Sequence, residues 1–598
     1  MEYKAPLRDI RFALYEVLGY AEHFASLPRG EAATPETVDA VFDEFARLCE
    51  EVLEPIYRSG DEEGCTWDAG EVRTPSGFRE AYLHYATSGW AGISSDPVYG
   101  GQGLPSSMSR VLGEMMGAAN TGFTLYTAGQ AGAIETLAAH GTPEQRDLYE
   151  RQLIAGTWNA TMCLTEPHCG SDLGLLRTKA EPQADGSYAI SGTKIFITGG
   201  EHDLTENIVH IVLARLPDAP PGNKGISLFI VPKYLAGADG ELSDRNRVFC
   251  GSIEHKMGIK ASATCVMNFD GATGYLLGQL NRGLNGMFTF MNTSRVATAV
   301  QGVTHAELGF QKSLAYARER LQMRSLTGAK NPEGPADPII VHPDVRRMLM
   351  TQKAFAEGNR MLVYYLARHI DVVEDGQDQA ARAASQDRLD FLTPVAKAFA
   401  TETGFESANL GMQCLGGHGY IREWGLEQNV RDARIAMLYE GTTGIQALDL
   451  LSRKVLGSGG KMVADFTQEI EHFCRSATGE PELEPYLIEL RELVDEWRAI
   501  SLRIAEDAEK DLEVVGAVSV QYLMYAGYVS LAYLWARAYS AALLGLAQSP
   551  QDADFYRAKQ STAAFYFEHI LPRTRTCSEI ISAGASSLMS LPEEHFRF

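Results

Sequence analysis

Between residues 160 and 280 the hydrophobic period of this chain changes, and afterwards it changes back. Upstream, residues 9–18, 37–53, 107–116 and 143–153 carry apolar side chains at three-four spacing, the pattern of helices with one buried face. Inside the window the apolar runs shorten to 188–190, 194–198, 208–213, 225–232 and 265–269, rich in Val, Ile, Phe and Thr. Turn clusters such as QADG at 183–186 and PDAPPG at 217–222 separate them. From Gly283 the helical period resumes over 287–324, 344–374, 388–411 and 443–456. Strands and helices do not alternate, so a parallel doubly wound sheet and a Rossmann dinucleotide domain are not expected. The order predicts a mainly α fold with a central antiparallel β domain. The expected divisions are an N-terminal helical domain over 1–160, a β domain over 161–282, a helical bundle over 283–456 and a C-terminal helical extension over 461–598. The GSGG run at 457–460 is the linker before the last of these.

A length of 598 residues, at roughly 150 per domain, agrees with about four domains, enough to bury a core without disulfides or a structural metal. The 53 Lys and Arg against 77 Asp and Glu leave a net charge of −24, so no broad cationic face is available and nucleic acid is not an expected partner. Nine scattered cysteines form no CxxC pair, and no metal site is expected. The odd count reads as reduced thiols in a cytoplasmic protein, and the start MEYKAPLRD is charged where an export signal is apolar. The stretch 514–536 carries no formal charge and is long enough to span a bilayer, but Ser519, Gln521, Ser530 and four tyrosines dilute it. Two readings stand: a buried helix, or weak membrane contact by the C-terminal domain.

Three loop segments have the composition for chemistry, and no P-loop, HExxH, GxSxG or EF-hand competes with them. The run 162–172 (MCLTEPHCGSD) enters the β domain; it is either an ordinary connector or a cradle of backbone N–H and hydroxyl groups for a ring or phosphate. The run 194–200 (KIFITGG) is a strand ending in a turn, with Phe196 and Thr198 two residues apart on one face, suited to a flat ring if one binds there. The run 437–446 (MLYEGTTGIQ) puts Glu440 in a tight turn before a helix that Thr442 or Thr443 would cap. That acid either complements the helix dipole or acts as a base whose pKa desolvation raises. The glycine cluster QCLGGHGY at 413–420 reads as a turn between helices.

Taken together and in order, LTEPHCGSD at 164–172, KIFITGG at 194–200, Glu319-Arg320, QCLGGHGY at 413–420 and YEGTTGIQ at 439–446 resemble the acyl-CoA dehydrogenase family over residues 60–460. The block 461–598 is similar to the helical extension of its larger members. The opening YKAPLRDIRF and the length resemble a bacterial subgroup that includes long- and medium-chain fatty acyl-CoA dehydrogenases and 3-(methylthio)propanoyl-CoA dehydrogenases. The resemblance implies an FAD enzyme that converts an acyl-CoA to its trans-2-enoyl-CoA as the first step of fatty acid β-oxidation and passes electrons to electron-transfer flavoprotein. It implies Glu440 as the base that removes the acyl α-proton. Met162, Leu164, Thr165, Gly170, Ser171, Phe196 and Thr198 would hold the flavin. Arg320, Gln413, Gly416, Gly417 and Thr442 would hold the rest of FAD from a neighbouring subunit, hence a homo-oligomer, expected to be a homodimer. Ser171, Asn292, Arg295 and Gly441 would meet the acyl-CoA.

Two departures from the family pattern stand out. The family's alternative base position is Ser294 here, so Glu440 is the base available. After Arg320 the chain reads LQMR rather than the usual Phe-Gly end, and a proline-bearing loop at 325–342 follows. A thioester α-C–H is too weak an acid for a free carboxylate, so the carbonyl must be polarised by donors as enolate charge develops. Two other functions share these motifs: an acyl-CoA oxidase, which would release hydrogen peroxide without an added acceptor, and a non-enzymatic relative, which would purify without flavin colour.

Overall fold

The structure, a computed structural model, describes residues 2–597, and the described chain divides into two compact units. One holds residues 36–297 with 2–5; the other holds Pro6–Pro35 and the chain from Thr298 onward.

The first unit is helical at its start and β in its middle. Helices Pro35–Leu48 and Ser107–Ala119 fall where the three-four spacing put them, while the twenty-residue helix Thr121–His140 lies between the segments that spacing marked. Between them lies a hairpin that the helical reading of this region missed: β1 (Thr66–Asp68) pairs with β2 (Glu71–Arg73). Its turn residues Ala69 and Gly70 both have positive φ, as a two-residue hairpin requires. Three-residue strands are too short to show a period.

The main sheet is built from β3 (Trp158–Cys163), β4 (Lys179–Pro182), β5 (Tyr188–Thr198), β6 (Asn207–Arg215) and β7 (Ile226–Pro232), followed by β10 (Val248–Ile253) and β11 (Thr264–Leu276). The short pair β8 (Tyr234–Ala236) and β9 (Leu242–Arg245) forms its own ribbon. The expectation of an antiparallel domain needs correction: β3 runs parallel to β6 over six residue pairs, from Trp158↔Asn207 to Cys163↔Val212. Alternation identifies a strand but carries nothing about its direction. Met162 and Cys163 therefore end a strand rather than begin a loop. The two runs at 188–190 and 194–198 are one strand, continuous through Gly192. β6 and β7 are buried along nearly their whole length, which explains their unbroken apolar sequence.

In the second unit, helices Pro343–Asp375 and Gln379–Cys414 pack on each other. The extension adds Lys461–Ser476, Glu484–Ala508, Glu513–Gln548, Ala553–Phe565 and Arg573–Ala583. Helix Glu513–Gln548 is long and apolar enough to cross a membrane, and 72% of its most apolar window is buried within the protein. Its tyrosines are satisfied internally: Trp497 Nε1 donates to the Tyr522 hydroxyl at 3.0 Å, and the Tyr525 hydroxyl donates to the Leu493 carbonyl at 3.0 Å. Residues 6–35 pack here as well. Lys559 pairs with Asp9, Arg8 stacks 4.0 Å over Phe555, and Arg537 donates to the Val17 carbonyl at 2.7 Å.

Helix Gly283–Glu319 contains the division between the units and stops five residues before the expected end, leaving Arg320 in the following loop. That loop is not featureless. The buried Asp337 carboxylate accepts from the N–H groups of Ser325 (2.8 Å), Lys330 (2.9 Å) and Asn331 (2.7 Å), with Arg324 beside it at 3.3 Å. Those donors, the Ser325 N–H first, hold its pKa down at about 2.

Candidate active site

In the first unit the two predicted segments are joined by a buried ion pair. Glu166 and Lys194 are buried, and Lys194 Nζ donates to Glu166 Oε1 at 2.8 Å and to the Leu164 carbonyl at 3.0 Å. The remaining capacity of Glu166 is filled by the Thr178 hydroxyl (2.6 Å), the Thr178 N–H (3.1 Å) and the Arg177 N–H (2.7 Å). Burial pushes the Glu166 pKa up, but Lys194 and these donors outweigh it and hold the carboxyl below the usual range. Glu166, His168 and Cys169 bring three donor types within 4.8 Å of one another. Since the carboxylate already accepts four hydrogen bonds, this cluster is a loop anchor.

The anchor sets the loop 164–172 against β5 at a bulge. Cys265 faces Ile197 and Met267 faces Lys194, so Ile195 and Phe196 together oppose Val266. The Ile195 N–H, freed from the ladder, donates to the Thr165 carbonyl at 2.9 Å. Phe196 is left in the left-handed region at φ 60° with its ring 60% exposed. A non-glycine residue there costs about 1–2 kcal/mol, and an exposed aromatic ring returns little of it in the isolated chain. Ile197 is buried behind it, and Thr198 is half-buried. Gly170 and Ser171 are exposed on the loop, Thr165 and Met162 are half-buried, and Leu164 is buried. A presented aromatic face with hydroxyls and open loop backbone nearby fits a flat ring with a polar edge. On the helix that follows the β domain, Asn292 is exposed and Arg295 is buried.

In the second unit, Glu440 lies between a short helical turn ending at Met437 and the helix Thr443–Leu448. Thr442 is the cap: its hydroxyl accepts from the Ile445 N–H at 3.2 Å, worth about 1 kcal/mol. Thr443 instead donates to Glu402 at 2.6 Å. Glu440 (φ 56°) and Gly441 (φ 88°) are both left-handed. Gln446 Nε2 donates to the Glu440 carbonyl at 2.9 Å, Lys397 Nζ donates to the Gly441 carbonyl at 2.7 Å, and the Tyr439 hydroxyl donates to Gln301. A Cβ on Gly441 would stand 2.6 Å from Gln446 Nε2 and push that amide aside, and at φ 88° glycine is the residue that incurs no steric cost.

Arg320 is brought close to the glycine cluster through the residues around it. Tyr316, one turn before Arg320, shares a 2.9 Å hydrogen bond with His418, and His418 stacks on Trp424. The Ile339 N–H donates to the Arg320 carbonyl at 2.8 Å. Arg320 and Gln413 are exposed, and a Cβ on Gly416 or Gly417 would meet nothing within 4 Å, so that backbone is open to a ligand. An exposed guanidinium and open backbone N–H groups are the kinds of donor a pyrophosphate takes.

The N-terminal, middle and C-terminal domains of acyl-CoA dehydrogenase match residues 35–157, 161–272 and 281–455, and an acetyl-CoA dehydrogenase C-terminal-like domain matches 466–592. The 3-methylmercaptopropionyl-CoA dehydrogenase of Ruegeria pomeroyi is 42% identical over 99% of this chain and 100% of its own. The chain belongs to the acyl-CoA dehydrogenase family. A broad-specificity linear acyl-CoA dehydrogenase of Mycobacterium tuberculosis is 35% identical over 99% of this chain and all of its own. An acyl-CoA dehydrogenase from Bacillus anthracis, solved with FAD, shares the fold at a TM-score of 0.74 and 20% identity, over 99% of this chain and 93% of that one. As an acyl-CoA dehydrogenase the protein is an oxidoreductase acting on a CH–CH bond with FAD as its cofactor.

Lys194, Glu166, Lys397 and Gln446 have structural parts in these segments that the sequence reading did not assign. Two of them carried a signal: Lys194 falls at an inward position of its strand, and Lys397 sits alone in the apolar run PVAKAFA. A lysine inside an apolar run must find a buried acceptor.

Proposed function

We propose that this acyl-CoA dehydrogenase acts on unbranched acyl-CoA thioesters, with Glu440 as the base that takes the α-proton. The observation that carries the reading is the Glu440 turn: a carboxylate in a strained left-handed conformation, immediately before an N-capped helix, with both adjoining carbonyls tied down. Met162, Leu164, Thr165, Gly170, Ser171, Phe196 and Thr198 would hold the flavin ring; Arg320, Gln413, Gly416, Gly417 and Thr442 would hold the remainder of FAD. Bound FAD supplies the acceptor for the β-hydrogen, which leaves as hydride. Glu440 removes the α-proton as its own N–H donates to the thioester carbonyl, stabilising enolate charge as it forms. Ser171, Asn292 and Arg295 of the one unit, and Gly441 of the other, would each meet part of the acyl-CoA. Closure around the acyl chain expels water and raises the pKa of the base toward neutrality.

The substrate class rests on two relatives of full length. One is named for 3-methylmercaptopropionyl-CoA and the other for linear acyl-CoAs. A thioether sulfur in place of a methylene keeps the chain linear, so the two names describe one shape. Electron-transfer flavoprotein is the proposed acceptor, a homodimer the proposed assembly and the cytoplasm the proposed compartment. We take helix Glu513–Gln548 as a core helix, because its apolar window is largely buried, and we keep the four-part division at 160, 282 and 456. The test is anaerobic flavin absorbance while straight-chain acyl-CoAs of increasing length and 3-methylmercaptopropionyl-CoA are added. Bleaching by linear thioesters is the expected outcome; a yellow protein that none of them bleaches would overturn the substrate class.

A further inference from the structure

Lys397 has a completely buried side chain on helix Gln379–Cys414, 43 residues before Glu440 in the chain. An ammonium in that setting is expensive unless it is paired or hydrogen-bonded. One acceptor it holds is the Gly441 carbonyl at 2.7 Å, so part of the compensation for a buried charge comes from the backbone of the turn that carries Glu440. Gln446 makes the complementary contact. It is also fully buried; its Nε2 donates to the Glu440 carbonyl at 2.9 Å, and its Oε1 has no partner among the described residues. A buried amide with one orphaned end is a net liability to the fold unless the bond it does make has a use.

Both donors converge on two successive carbonyls of a turn whose residues, Glu440 and Gly441, are left-handed. Without fixed acceptor positions, Glu440 would relax toward the right-handed or extended basin, since the left-handed one is disfavoured for a residue with a Cβ. We infer that Lys397 and Gln446 are positioning residues: by clamping the 440 and 441 carbonyls they hold the Glu440 main chain in the strained conformation that aims its carboxylate at the substrate. The inference rests on the reading of Glu440 as base. Neither residue touches the reacting atoms in this scheme, and both act through the turn.

The experiment uses FAD-loaded full-length enzyme and 3-thiaoctanoyl-CoA, a linear thioester with α-hydrogens and a sulfur at the β-position, so no β-hydrogen to lose. In D2O, α-H/D exchange of this thioester, followed by NMR, reports the base alone. Thioester Kd, bound FAD and thermal midpoint are measured alongside. Lys397→Met and Gln446→Leu are expected to slow exchange about 10–100-fold, the scale of a misplaced catalytic group, with Kd and FAD content kept. A merely structural role would lower FAD content and thermal midpoint together with exchange, and that result overturns the inference. So does exchange within two-fold of wild type in both variants while Glu440→Gln exchanges nothing. Should Lys397→Met fail to fold, Gln446→Leu decides alone. Wild-type exchange by Glu440→Gln would instead remove the base assignment itself.

Discussion

Glu166 and Lys194 face each other at 2.8 Å with almost no access to solvent, and through them the loop 164–178 is fastened to the edge of the bulge that presents Phe196. Removing one member leaves the other charged and buried. Lys194→Met is expected to destabilise the protein by about 3–5 kcal/mol, the range for a broken buried pair. Urea unfolding followed by tryptophan fluorescence measures it, and a loss below ~1 kcal/mol would show that the loop holds without the pair.

Phe196 supplies a second prediction through its backbone. With φ at 60° and the ring 60% exposed, Phe196→Gly relieves strain and uncovers little core. The FAD-free variant is expected to be as stable as wild type or more so, by up to ~1 kcal/mol, while its retention of FAD falls. Calorimetry of the apo form and flavin released on dialysis report the two effects separately. Equal FAD retention would mean that the ring does not meet the cofactor.

Acid stability depends on two buried imidazoles of the β domain. Burial first, then Lys233, lowers the pKa of His202 and of His210 to about 3; His210 adds to the effect on His202, and Arg245 to that on His210. Both are neutral in the folded protein, whereas in the unfolded chain they take protons near pH 6.5. A depressed folded pKa gives stability that is present above 6.5 and is lost as pH falls toward 3. Between pH 7 and pH 5 the loss is ~2 kcal/mol for each histidine. The denaturant midpoint at the two pH values tests this. His210→Gln is expected to flatten the dependence, and an unchanged slope would contradict it.

Asp337 organises the loop that follows Arg320. Asp337→Ala leaves the N–H groups of Ser325, Lys330 and Asn331 without their acceptor. Limited proteolysis is expected to cut the variant between 325 and 336 and to leave wild type intact there. If both resist, the loop is held by other contacts, among them the bridge between Leu321 and Pro338.

Much of this was legible in the sequence because it is local. The α, β, α order follows from hydrophobic period, and the turn at Glu440 before a helix capped by Thr442 or Thr443 follows from residues a few positions apart; the structure selects Thr442. What the chain withheld depends on pairings between distant elements. Lys397 and Gly441 are 44 residues apart in sequence, and no spacing rule links a helix to a turn at that distance. The parallel pairing of β3 with β6 was hidden for the same reason, since β4 and β5 intervene. The hairpin at 66–73 is too short for a period, and Asp337 acts through backbone donors that any sequence would provide.

Asp9 and Lys559 are 550 residues apart, yet they are a pair. A ribosome adding about 5–20 residues per second needs on the order of half a minute to two minutes to travel that far. Throughout that interval Asp9, Phe12 and their neighbours have no Phe555, Tyr556 or Lys559 to dock on, although residues 36–297 can already have collapsed into their own unit. The segment around Asp9 is thus among the last parts of the protein to be completed, although it is made before most of the chain it packs on.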